Sequence, residues 1–157
     1  MKRVLVVDDS KTQQLYLGRL LEKHGFQKLT AMDGETGIAL ARSEHPDLIL
    51  MDVVMPQMNG FQATRRISRD PLTADIPIVI VSGKDMACDR VWGLRQGARD
   101  YLTKPVGKSE LIACIESVLN SDTKAAWLSY LQNHPTPGKT AATMGAKSAL
   151  GAGVPQR

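Results

Sequence analysis

A chain of 157 residues, 43 % apolar and 23 % charged, can bury one full hydrophobic core, and little chain remains for a second. No apolar run approaches the ~18 residues of a membrane span, which excludes a multi-spanning protein. The net charge of +4 does not point to nucleic acid: 16 Lys and Arg balance 16 Asp and Glu between Met1 and Thr123, and the remaining basic residues, Lys124, Lys139, Lys147 and Arg157, all follow the last acid, Asp122.

The first predicted strand is Arg3 to Val7, a β-branched run with too few apolar residues before Asp8 and Asp9 for a signal peptide. The expected compartment is therefore the cytoplasm, with Cys88 and Cys114 reduced and filling core. Ser10 opens a helix that turns Leu17, Leu20 and Leu21 inward and stops at Gly25, a residue suited to a left-handed cap. Gln27 to Ala31 is a weaker strand. Gly34 to Glu44 is a helix of small residues, stopped before His45-Pro46.

Leu48 to Met51 is a third strand, apolar throughout, and Asp52 follows it directly. A carboxylate at the end of a buried strand is costly to desolvate, so its presence there needs a reason. Asn59 to Arg69 reads as a helix ending at Asp70-Pro71, and Ile78 to Val81 as the fourth strand. Asp85 can cap a helix running to Gln96, with Gly97 as its stop. Asp100 to Leu102 is a short fifth strand, and Ser109 can cap a last helix to Leu119 with Leu111, Ile115 and Val118 inward.

Five alternations of strand and helix with short connections predict an α/β fold, a doubly wound parallel sheet of five strands covered by five helices. Ligands in such sheets sit outside the carboxyl ends of the strands, at the switch in strand order. Residues 1–120 form the expected domain. The stretch 121–134, with Trp127, Leu128 and Leu131, can extend or follow the last helix, and 135–157 reads as a disordered basic tail.

That carboxyl edge receives Asp8 and Asp9 from the first strand, Asp52 from the third, Ser82 from the fourth and Lys104 just after the fifth. Converging carboxylates repel and raise one another's pKa, so a cation must compensate. Oxygen ligands without His or Cys favour a hard ion that keeps some water, Mg²⁺. A nucleophilic carboxylate, a metal, a lysine and a hydroxyl are the parts that phosphoryl transfer needs.

Each residue alone has a plainer reading. Asp8 and Asp9 suit a helix N-terminus, Asp52 a loop, Lys104 a solvated surface, Ser82 a turn, and Tyr101 a half-buried sheet position. Their joint placement argues against these. His24, His45 and His134 are not spaced to share a ligand, Met51, Met55 and Met58 read as core and loop filler, and Trp92 as helix packing.

The set VVDDS, LMDVVMPQMNG, VSGKD and YLTKP, in this order and spacing, resembles the two-component response-regulator receiver domain, the flavodoxin-like fold of the chemotaxis receiver CheY. LEKHG, GFQATR and RQGARDYLTKPV look closer still to PilH-type receivers of type IV pilus twitching motility. The resemblance covers Met1 to about Asn120. It implies that Asp52 is the phosphoacceptor for a histidine kinase or phosphotransfer domain. It implies further that Asp9 and Asp52 ligate Mg²⁺ with the Val54 backbone carbonyl, that Asp8 holds a metal-bound water, and that Ser82 and Lys104 contact the phosphoryl oxygens. Tyr101 matches an aromatic switch, Gly83 a small residue leaving room for phosphate, and Lys104-Pro105 a cis bond.

By the same resemblance the output is a protein target on the helix 4, strand 5, helix 5 face, and the chain is a monomer or a weak phosphorylation-dependent dimer. It is a phosphoacceptor that catalyses only its own labelling and slow dephosphorylation. A phosphate sink with no direct output is an alternative. An aspartate-nucleophile phosphohydrolase would carry a second acid two residues after Asp52, where Val54 stands. A dinucleotide module would need G-x-G-x-x-G where DDSKT stands, and about 35 residues of tail are too few for a DNA-binding domain.

Overall fold

The structure, a computed structural model, describes residues 1–120. The expected helical extension over 121–134 and disordered tail from 135 lie outside the described residues. Ten elements alternate along the chain: β1 (Arg3–Val7), α1 (Lys11–Lys23), β2 (Gln27–Ala31), α2 (Gly34–Glu44), β3 (Leu48–Met51), α3 (Gly60–Arg69), β4 (Ile78–Ser82), α4 (Ala87–Arg95), β5 (Asp100–Thr103) and α5 (Lys108–Leu119).

The five strands form one parallel sheet in the order β2-β1-β3-β4-β5. Side chains alternate across it, as the two-residue period of a strand requires. Leu5, Val7, Ile49, Met51, Ile78 and Ile80 join Ile38 and Ala41 of α2 and Phe61, Ala63 and Ile67 of α3 in one core layer. Val4, Val6, Leu48, Leu50, Val79 and Val81 join Leu17 and Leu21 of α1 and Leu111, Ile115 and Val118 of α5 in the other. Both faces are covered, which is why these strands read as continuous apolar runs. The order reverses at β1, whose neighbours are β2 and β3, and the opening lies at the carboxyl ends of β1 and β3.

Helix ends follow local chemistry, with two departures. Ser10 caps α1 by accepting from Gln13 N–H, Asp33 caps α2 by accepting from Thr36 N–H, and Asn59 and Gln62 close a reciprocal capping box at α3. Gly25 and Gly97 sit at positive φ, 85° and 118°, a region glycine enters without a Cβ penalty. Asp85 does not cap α4: the N-cap is Met86, with no side-chain bond. Ser109 does not cap α5 either: that helix starts at Lys108, two residues before a Ser109 cap would start it, with Gly107 as N-cap, and Ser109 lies in its first turn. β4 and β5 each run one residue further than expected, to Ser82 and Thr103. Cys114 is buried, whereas Cys88 is exposed on the outer side of α4 and fills no core. Trp92 is half exposed rather than packed. Met51 and Met55 are buried and Met58 packs against the core, as read.

Candidate functional site

β1 and β3 end side by side, with Val7 paired to Met51, so the residues that follow them meet. Asp8 and Asp52 are both buried. Asp9 is exposed. One carboxylate oxygen from each of the three lies within 4.8 Å of the other two. The backbone fixes this edge: Asp52 N–H donates to Val7 carbonyl at 2.9 Å, Asp8 N–H donates to Ala31 carbonyl at 3.0 Å, and Gln14 Nε2 donates to the Asp8 and Ala31 carbonyls. Ser10 N–H donates to Asp8 Oδ1 at 2.8 Å, so Asp8 also serves the start of α1.

β5 delivers the cation. Lys104 Nζ is 3.1 Å from Asp8 Oδ2 and 3.1 Å from Asp52 Oδ1, and the Lys104-Pro105 bond that turns the chain there is cis. Burial pushes the Asp52 carboxyl above its ordinary pKa and the Asp8 charge adds to this, while Lys104 opposes both. For Lys104, burial favours the neutral amine, but the charges and hydrogen bonds of Asp52 and Asp8 prevail and raise it. The group stays a cation.

Ser82, at the end of β4, is fully buried, and its hydroxyl accepts from Lys84 N–H at 3.1 Å. A Cβ at Gly83 would meet nothing within 4 Å, so space is open beside it. Tyr101 is 1 % exposed, deeper than the half-buried sheet position its type suggests. Its hydroxyl donates to Lys84 carbonyl at 2.6 Å. Burial pushes the Tyr101 phenol up, against the neighbouring Ser82 hydroxyl. Val54, two residues past Asp52, is 65 % exposed, an apolar side chain left in solvent.

Two residues at this edge escaped the sequence reading. Gly60 donates its N–H to Val53 carbonyl at 2.9 Å, and a Cβ there would fall 1.9 Å from the Asp52 carbonyl oxygen. The start of α3 thus lies directly on the loop that carries Asp52. The signal was available, since LMDVVMPQMNG ends in this glycine. Arg90, from α4, packs under Tyr101, and nothing in its helix distinguishes it from a solvated cation.

The donor set tests the expected metal. Three carboxylate oxygens within 4.8 Å, with no His or Cys among the groups facing them, suit a hard divalent cation, and the exposed Asp9 leaves one side open to water. The arrangement can seat such an ion beside a carboxylate whose negative charge is already partly offset by Lys104.

A family model described as the response regulator receiver domain matches residues 4–116. Protein PilH of Pseudomonas aeruginosa is 56 % identical over 119 residues, covering 76 % of this chain and 98 % of PilH. Response regulator PleD of Caulobacter vibrioides is 42 % identical over 116 residues, 74 % of this chain but 26 % of PleD. Among solved structures, chemotaxis protein CheY4 of Vibrio cholerae superposes with a TM-score of 0.70 at 28 % identity, covering 74 % of this chain and 97 % of that one. The response regulator domain of Thermotoga maritima CheB gives 0.69 at 32 %, covering 78 % and 99 %. Phosphorylation and Mg²⁺ binding at an acidic pocket are general in this family. With five parallel strands, five helices and an acidic cluster at the carboxyl edge of the sheet, the chain belongs to the response regulator receiver domains of two-component signalling.

Proposed function

We propose that this chain is a switch in a two-component phosphorelay, in which Asp52 takes a phosphoryl group from the phosphohistidine of a histidine kinase or phosphotransfer domain. The observation that carries the reading is the placement of Asp52: at the edge of β3, among carboxylate oxygens within 4.8 Å, with Lys104 Nζ at 3.1 Å. Asp9, Asp52 and the Val54 carbonyl are assigned to Mg²⁺, with Asp8 holding one of its waters. Bound there, Mg²⁺ would neutralise charge on the incoming phosphoryl group.

An Asp52 oxygen attacks phosphorus, the P–N bond breaks, and its electron pair returns to the departing imidazole. Lys104 keeps its charge throughout and is placed to pair with a phosphoryl oxygen, while Asp8 retains the Ser10 N–H bond that orients it. Ser82 can turn its hydroxyl from Lys84 N–H to another phosphoryl oxygen. Because Lys84 also holds the Tyr101 hydroxyl, that turn is felt at the ring and through it at the face of α4, β5 and α5, where a protein target docks. Phosphorylation then biases two states that both preexist. Val54 offers no proton-transfer group, which disfavours rapid hydrolytic turnover.

The likeness to PilH supports a role in type IV pilus twitching motility or chemotaxis-like signalling. No helix among the described residues is long and apolar enough to cross a membrane, and we place the protein in the cytoplasm. The test is intact mass after incubation with acetyl phosphate and Mg²⁺. A single phosphate adduct is expected; an adduct that survives Asp52→Ala, or forms equally in excess EDTA, overturns the assignment.

A further inference from the structure

α4 is fastened to the sheet through a buried cation. Arg90 is 6 % exposed. A helix arginine ordinarily lays its stem on apolar surface and keeps its head in water; this one turns its head inward. Nη1 donates to Tyr101 carbonyl at 3.1 Å, Nη2 donates to Thr103 hydroxyl at 2.5 Å, and the guanidinium carbon stands 5.4 Å from the Tyr101 ring centroid. Nε is buried with no hydrogen-bond partner among the described residues, a desolvation cost that the other contacts of the guanidinium must offset.

The ring is enclosed by the same element. One turn beyond Arg90, a Cβ on Gly93 would lie 3.1 Å from Tyr101 Cδ2 and 2.8 Å from Ile80 Cδ1, so α4 rests on the ring where it has no side chain. The Lys84 carbonyl, at the approach to α4, holds the hydroxyl. Ring and helix are thus in direct contact, and Arg90 touches both the backbone and the face of the tyrosine.

We propose that Arg90 is a positioning residue of the switch, whose guanidinium holds the Tyr101 ring inward and α4 against β5 and thereby sets the inward population of the ring. The proposal rests on the reading that Asp52 phosphorylation is read out through Tyr101. Arginine suits the task because its planar fork reaches the Tyr101 carbonyl and the Thr103 hydroxyl together while presenting charge to the ring. A lysine keeps the charge but cannot fork.

The experiment is ¹⁹F NMR of the full chain carrying 3-fluorotyrosine, with the Tyr101 resonance assigned by Tyr101→Phe, with and without beryllofluoride and Mg²⁺. Arg90→Ala should shift the inward-to-outward ratio toward outward by at least about five-fold and up to roughly thirty-fold, the worth of a cation–π contact as its site passes from exposed to desolvated. Arg90→Lys should restore part of the shift, and acetyl phosphate should still label Asp52 in each variant. A lower melting temperature with an unchanged ratio would mean that Arg90 is only a helix anchor, and would overturn the proposal. If Arg90→Ala does not fold, Arg90→Lys and Arg90→Gln decide by the same ratio. Failure of the wild type to label at Asp52 would count against the phosphorelay reading and leave the ring comparison standing.

Discussion

Lys104 Nζ reaches across 52 residues of sequence to lie 3.1 Å from Asp52 Oδ1, and the same nitrogen is 3.1 Å from Asp8 Oδ2. One ammonium thus holds two buried acids whose charges repel. That is an incomplete settlement, since burial and Asp8 still leave the Asp52 carboxyl above its ordinary value of 3.8.

A pH-dependent stability follows. A carboxyl whose pKa is raised on folding destabilises the native state wherever it is ionised: fully above the raised value, decreasingly as pH falls through it, and not at all below 3.8, where both states are neutral. In EDTA, Asp52→Asn should therefore melt a few degrees above the wild type at pH 7, and the gain should vanish at acid pH. Adding Mg²⁺ should stabilise the wild type more than the variant. Thermal scans across pH, with and without Mg²⁺, check both signs.

Gly60→Ala should be among the costly single changes at this edge. Its Cβ would enter the Asp52 carbonyl at 1.9 Å, and backbone cannot step aside as a flexible side chain can. A loss of about 1–3 kcal/mol is expected for overpacking, with a further fall in Mg²⁺ affinity as the β3–α3 connection moves. Urea unfolding and Mg²⁺ titration measure the two effects separately.

The acyl phosphate should be lost over minutes or longer. The exposed Val54 side chain has no hydrogen bond to align an attacking water, and Lys84 cannot act as a base while protonated. Val54→Asn should shorten the lifetime several-fold, timed as phosphate loss after the donor is removed. An unchanged lifetime would show that water is aligned elsewhere.

β1, β3 and β4 were legible as short apolar runs set off by helical periodicity, β2 and β5 more weakly because Gln27, Lys28 and Asp100 interrupt the pattern, and the convergence of Asp8, Asp9, Asp52, Ser82 and Lys104 was legible because all end or follow strands. Caps were less so. Asp85 and Ser109 are good capping types within two residues of the true starts, yet α4 and α5 take Met86 and Gly107 as N-caps without a side-chain hydrogen bond, because tertiary packing outweighs a cap worth ~1 kcal/mol. Arg90 could not be read at all: whether a helix cation faces water or a tyrosine depends on how α4 is rotated against β5.

The basic residues beyond Asp122 leave the first 123 residues electrically balanced. We expect a chain ending near Asn133 to accept phosphate at the wild-type rate and to melt at nearly the same temperature. The longer chain should bind its kinase more tightly only at low salt, since exposed charges are screened beyond ~8 Å at physiological ionic strength. Equal affinity at low salt would remove the electrostatic role, and a truncated chain that fails to label would move the domain boundary.

Trapping the acyl phosphate identifies whether the acid at the end of β3 is the phosphoacceptor. The protein is labelled by a phosphorylated histidine kinase or phosphotransfer domain, reduced with borohydride, digested and sequenced by mass spectrometry. Homoserine is expected in place of Asp52, with unreduced aspartate at Asp8 and Asp9. Homoserine at either of those positions, with Asp52 unchanged, would contradict it.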